Sequence, residues 1–298
     1  MFSLLATVLG LCLFECVSSL DNAVINADIL QTMSQKWRRR FLTWGILSSV
    51  FLVRALLPLL IVYLSYSNLG ISESITATFS RDPKVIEAVE KAKPLLLMGG
   101  GVFLLFLFLH WLFLEAKEFG LKVERVIHQR GVWYYSLVSL ILSLIIWQCV
   151  QIDPMMAFSA SLGSSLFFIV QGFKDHARHT EQLLTRQNEL SDISKFLYLE
   201  ILDATFSIDG VVGAFAFTLS VPLIILGNGL GALIVRKLTV SRLEWLRTRP
   251  LLKNGAMYAI FILSLIMIIE SFGVEIDPLL APISTTMIII FSFYKSKK

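Results

Sequence analysis

Phe14-Glu15-Cys16-Val17-Ser18-Ser19-Leu20-Asp21-Asn22-Ala23-Val24 sets two carboxylates inside the first long apolar segment of the chain. The pattern returns at Asp203-Ala204-Thr205-Phe206-Ser207-Ile208-Asp209-Gly210-Val211-Val212. In register, Glu15 meets Asp203, Ser19 meets Ser207, Asp21 meets Asp209 and Val24 meets Val212. A charged side chain at bilayer mid-depth costs about 2.5–3.5 kcal/mol on insertion scales, so four lone acids would cost about 10 kcal/mol. Arg54 is the one basic residue expected inside a span. Protons, a metal cation or both must then supply the missing positive charge.

The composition around these acids is that of a membrane protein. Of 298 residues 56% are hydrophobic, and mean hydropathy is +0.74. Soluble domains average about 45–50% apolar residues. Here the apolar residues gather in runs that suit a bilayer crossing, separated by charged stretches. The net charge of +4 includes no basic stripe interleaved with aromatics, so no nucleic-acid partner is expected. Cys12, Cys16 and Cys149 all lie in apolar segments, which implies no disulfide framework. Cys16, beside Glu15, reads as small apolar filler in preference to a soft metal ligand. The first twenty residues lack a basic leading region and carry Glu15, so they read as a retained span rather than a signal peptide.

Nine spans are expected, at about 3–30, 42–66, 94–114, 132–150, 155–172, 197–219, 221–235, 255–272 and 279–294. The connecting segments then alternate sides. One side collects 21 of the 26 basic residues, and the other holds Arg81, Lys84, Lys91 and Lys93, offset by Glu73, Asp82, Glu87 and Glu90. The positive-inside rule puts the N-terminus outside and the C-terminus in the cytoplasm. The organisation is a first membrane repeat over 1–172, a cytoplasmic linker over 173–196 and a second membrane repeat over 197–298. Segment 67–93 is an external loop with a short amphipathic helix from Pro83. In the linker, His176 and His179 stand at helical spacing among charged neighbours, as on a solvated helix face rather than a metal-sensing pair.

The duplication extends beyond the acids. Gly45-x8-Arg54 pairs with Gly227-x8-Arg236, and Pro94-Leu95-Leu96-x2-Gly99 pairs with Pro250-Leu251-Leu252-x2-Gly255. Spans one to three thus correspond to six to eight. An odd offset of five spans makes the copies inverted, a transporter plan with the site at the repeat interface. A competing register matches Gly131, Tyr134 and Ile152-Asp153-Pro154 with Gly255, Tyr258 and Ile276-Asp277-Pro278. It reads as two similar turns. Gly227-x3-Gly231 reads as a site of close helix approach.

On a straight helix Glu15 and Asp21 point about 120° apart, as do Asp203 and Asp209. Asn22 and Gly210, which tolerate non-helical backbone, suggest that both helices unwind there and turn their acids into one cavity. The proposed ligands are Glu15, Asp21, Asn22, Asp203 and Asp209, with Ser19 and Ser207 in support. Such oxygen donors suit magnesium, calcium or manganese better than zinc or copper. Four acids exceed the charge of one divalent ion, which leaves room for proton coupling. Asp28 reads as an inner gate or a solvated helix end, and Glu200 as a helix-dipole cap. Glu270 reads as a further ligand or proton carrier, and Arg54 as a partner for an acid.

On Glu15-x5-Asp21-Asn22-Ala23-Val24, Trp44-Gly45 with Arg54, and Asp203-x5-Asp209-Gly210, the chain resembles the TerC family of bacterial integral membrane proteins. More closely it resembles a branch catalogued as a domain of unknown function. The resemblance covers nearly the whole chain. It implies export of a divalent cation, manganese foremost, from a bacterial inner membrane, and it implies Glu15, Asp21, Asp203 and Asp209, with Asn22, as the ion-binding set. Where the family commonly has Asp-Ser, this chain has Asp209-Gly210 and lacks that hydroxyl. The expected protein is an all-α transporter, not an enzyme, with broken helices at its centre and no tightly bound cofactor. Its partners are lipid and the transported ion, with homo-oligomerisation left open. The alternatives are a membrane scaffold of the metal and tellurite stress response, and an intramembrane aspartyl enzyme.

Overall fold

An apolar chain without water must close its backbone hydrogen bonds within each segment, and helices do so. The computed structural model describes residues 2–19, 29–45, 56, 83–117, 120–186, 191–241 and 251–296, and among them there is no strand. The main helices are α1 (Phe2–Ser18), α2 (Gln35–Gly45), α3 (Pro83–Leu114), α4 (Lys122–His128), α5 (Tyr134–Val150), α6 (Pro154–Arg186), α7 (Asp192–Ala214), α8 (Val221–Ser241), α9 (Leu251–Ser271) and α10 (Leu280–Lys295). Four described stretches are long and apolar enough to cross a membrane: Ala92–Leu114, Gly131–Val150, Pro154–His176 and Leu251–Ser271. Ser3–Ser18 and Leu280–Lys295 are shorter apolar helices. The protein is thus all-helical and membrane-like. Nearly all of the expected span 42–66, with Asp21, Asn22, Asp28 and Arg54, lies outside the described residues.

Two boundaries differ from expectation. α3 begins at Pro83, so the amphipathic helix and the third span form one rod with Pro94 inside it. A proline removes one backbone donor from a helix. Ser159 of α6 donates to the neighbouring Leu95 carbonyl oxygen and ties the two helices together at this level. α6 likewise runs unbroken through most of the expected linker, because nothing between Phe173 and Arg186 breaks a helix.

α3 lies at the centre of the core, packed on α6 and α9. Gly99-Gly100-Gly101 gives each neighbour its own close approach. A Cβ on Gly99 would lie 2.8 Å from Ser159 Oγ of α6, one on Gly100 2.5 Å from Met267 Cε of α9, and one on Gly101 2.7 Å from Ile268 Cγ1. α10 covers α9, α5 covers α6, and α1 packs on α8 and α10. The two Ile-Asp-Pro segments make the same turn: Asp153 Oδ1 accepts from the Met155 N–H and Asp277 Oδ1 from the Leu279 N–H, each at 2.8 Å.

Where α3 ends, a buried carboxylate holds the loop before α4. Glu124 Oε2 accepts from the Leu121 N–H at 3.2 Å and from Asn254 Nδ2 at 2.9 Å, and Oε1 accepts from the Tyr258 hydroxyl at 2.7 Å. Gly120, at φ +145°, leaves room for that carboxylate. Beside it the Lys117 ammonium sits 3.5 Å from the Trp111 ring centre and donates to the Trp111 carbonyl oxygen. Burial pulls Lys117 down to about 8; Glu115 and Glu124 oppose this and Lys253 adds to it. The unfolded chain then binds more protons between about pH 8 and 10.5, so folding stability rises with pH across that window. At pH 8.5 roughly three quarters of Lys117, but about one in a hundred ordinary lysines, is neutral. Brief reductive methylation of the folded protein at pH 8.5 should therefore modify Lys117 ahead of Lys122, and unfolding should erase the preference. Equal rates in the folded protein would contradict this assignment.

Candidate ion site among α1, α6, α7 and α8

Glu15 is the one acid in α1, and its neighbours are shaped to admit it. A Cβ on Gly227 of α8 would lie 2.5 Å from Leu11 Cβ, and one on Gly231 would lie 2.6 Å from both the Cys12 carbonyl oxygen and Glu15 Cβ. The Gly227-x3-Gly231 face therefore presses directly on α1. Cys16 donates its thiol to the Gly231 carbonyl oxygen at 3.4 Å. Glu15 has no exposed surface. Its Oε1 accepts from Ser19 Oγ at 2.6 Å, and its Oε2 occupies the place where Gly210 of α7 would carry a Cβ.

That last contact explains Gly210 without unwinding. α7 stays helical from Asp192 to Ala214, starting from Ser191, whose hydroxyl accepts from the Ser194 N–H. The expected break at Asp209-Gly210 is absent, and whether α1 breaks near Asn22 lies outside the described residues. On a straight α7, Asp203 and Asp209 point about 120° apart and are about 9 Å apart along the axis. Each meets a different cation. Asp209 Oδ2 forms an ion pair with Lys174 of α6. Asp203 Oδ2 lies 3.8 Å from Arg236 Nη2 of α8, which also lies 3.7 Å from Glu200 Oε1. The Arg236 guanidinium stacks over the Phe41 ring of α2 at 4.0 Å.

These pairs correct three expectations. Arg54, outside the described residues, is the one basic residue expected inside a span, yet Lys174 is 4% and Arg236 7% exposed. Lys174 is not on a solvated linker. Glu200 stands in the third turn of α7 facing a guanidinium, not at the helix start. Ser207 also differs from its counterpart Ser19: it donates to the Asp203 carbonyl oxygen at 2.6 Å, so it serves the backbone of α7. Glu270 lies at the C-terminal end of α9, 3.8 Å from Lys93. His176 is exposed, and the His179 side chain is outside the described residues.

Over residues 20–298 the sequence matches the profile of a family described as a protein of unknown function, DUF475. The chain belongs to the DUF475 family. No curated protein and no solved structure matches it. The DUF475 match takes in Asp21, Asp203 and Asp209, and begins just after Ser19.

Ion pairs run through the acidic residues of this DUF475 protein. Asp209 pairs with Lys174, Glu200 and Asp203 share Arg236, and the Glu15 carboxylate accepts from Ser19. Among the described residues no three His, Cys, Asp or Glu side chains converge on a metal-sized site. Asn228 is a donor that the sequence analysis did not single out. Its Nδ2 donates to the Gly210 carbonyl oxygen at 3.1 Å, and its buried Oδ1 accepts no hydrogen bond among the described residues. Glu15 and Asn228 thus converge on one residue of α7 from two other helices. The burial of Lys174 had a faint signal in the sequence. Gln171 and Lys174 share the inward face of α6 with Ser164, Phe167 and Val170, at helical spacing.

Proposed function

We propose that this protein is a multi-pass transporter that exports divalent cations, manganese foremost, and is a distant relation of the TerC family. The Glu15 and Asp203 carboxylates, buried among apolar helices, support this reading most directly. Intramembrane acids mark ion pathways by default. Glu15, Asp21, Asn22, Asp203 and Asp209 are the proposed ligands, with Ser19 in support, and Asn228 joins them as a neutral oxygen donor. Carboxylate and amide oxygens favour hard divalent ions. Alternating access would rock two inverted repeats about this core, driven by protons or by membrane potential. The setting is a bacterial inner membrane, with the N-terminus outside.

The test is total metal in cells that overproduce the wild type, Glu15→Gln or Asp21→Asn. The wild type should lower cell manganese, and both variants should leave it at the level of the empty vector. No change in any metal would count against transport. One observation favours a second reading, a membrane scaffold: Lys174–Asp209 and Arg236–Asp203 hold helices together as ion pairs do. A scaffold would keep its role after Glu15 and Asp21 are neutralised.

A further inference from the structure

We infer that Lys174 is a tethered counter-ion that competes with the transported cation for Asp209. The inference rests on reading the acidic core as a cation site. It concerns how that core remains tolerable between one ion and the next.

Lys174 and Arg236 differ in side-chain chemistry. Arg236 is fixed from three directions, by Glu200, Asp203 and the face of Phe41. Its planar guanidinium suits such a seat. Lys174 reaches Asp209 from another helix with a compact ammonium on a stem of four carbons, and such a stem can withdraw. It also stands where α6 leaves the apolar interior. The membrane-length stretch ends at His176, and Phe173, Asp175 and His176 around Lys174 are all exposed. The polar stretch that follows the span therefore begins within one helical turn of Lys174.

A divalent cation arriving at Asp209 meets a carboxylate already engaged by the Lys174 ammonium. Two charges displace one, and the ammonium swings toward water. When the ion leaves, the ammonium returns, and Asp209 never stands in a low-dielectric interior without a partner. Binding is thereby an exchange of one cation for another at the same carboxylate.

The experiment is manganese binding to the purified full-length protein in detergent, read from the electron paramagnetic resonance signal of free ion and from the shift in melting temperature. Lys174→Met should bind manganese at least about tenfold tighter than the wild type, because a tethered competitor acts at an effective concentration of roughly millimolar or more. Its melting temperature should also rise further with added manganese. Wild-type binding with equal or weaker binding by folded Lys174→Met would overturn the inference and leave the transport reading standing. No binding by either protein would overturn both. If Lys174→Met aggregates, Lys174→Arg gives the answer: a guanidinium that can fork onto both oxygens of Asp209 should weaken manganese binding, and undiminished affinity would overturn the inference.

Discussion

Asp209→Ala should strip the membrane of most folded protein, and adding Lys174→Met should bring it back. Removing one partner of a buried ion pair costs about 3–5 kcal/mol, because a charge is left in a low-dielectric interior. Folded proteins hold only about 5–15 kcal/mol in reserve. Lys174 is 4% exposed, and Asp209 is its ion-pair partner. Replacing both members with apolar groups removes the stranded charge, and such double replacements are often neutral. The measurement is the monodisperse peak on size exclusion and the melting temperature for both single variants and the double variant. An Asp209→Ala protein as abundant and as stable as the wild type would contradict the burial of this pair.

Gly163→Ala should be nearly as damaging, for a reason of shape. A Cβ at Gly163 would overlap the Gly99 carbonyl oxygen, so α6 and α3 touch backbone to backbone. A side chain in the way can change rotamer, but a carbonyl in the middle of a helix cannot. The helices must separate, and the cost falls at the upper end of about 1–3 kcal/mol for overpacking. The same helix supplies the control. Gly172 has nothing within 4 Å of a Cβ, so Gly172→Ala should be neutral or slightly stabilising. Equal melting temperatures for the two variants would refute the close contact of α3 with α6.

Much of this architecture was legible because hydropathy is a local signal. The apolar runs predict α1, α3, α5, α6, α9 and α10, and the repeated acid motif points to Glu15, Asp203 and Asp209, which the structure buries in or beside the core. Burial of a basic residue is not local. Lys174 and Arg236 stand in charged stretches and read as solvated, yet each finds an acid on another helix. Linear charge counting cannot see such a partner. Gly210 misled in another way. Glycine after aspartate suggests backbone freedom, but here it makes space for the Glu15 carboxylate, and periodicity does not separate the two uses.

The glycine contacts lace six helices into one continuous band. α6 joins α3 at Gly163, α3 joins α9 at Gly101, α9 joins α10 at Gly255, α10 joins α1 at Gly10, and α1 joins α8 at Gly231. Gly210 and Gly213 of α7 meet only the side chains of Glu15 and Phe14. The two loose ends of the band, α6 and α8, grip α7 from different sides, one through an ammonium and the other through a guanidinium. Shape therefore locks the band, whereas α7 is tied to both of its ends by ion pairs, so whatever changes the charge there changes how firmly that one helix is held.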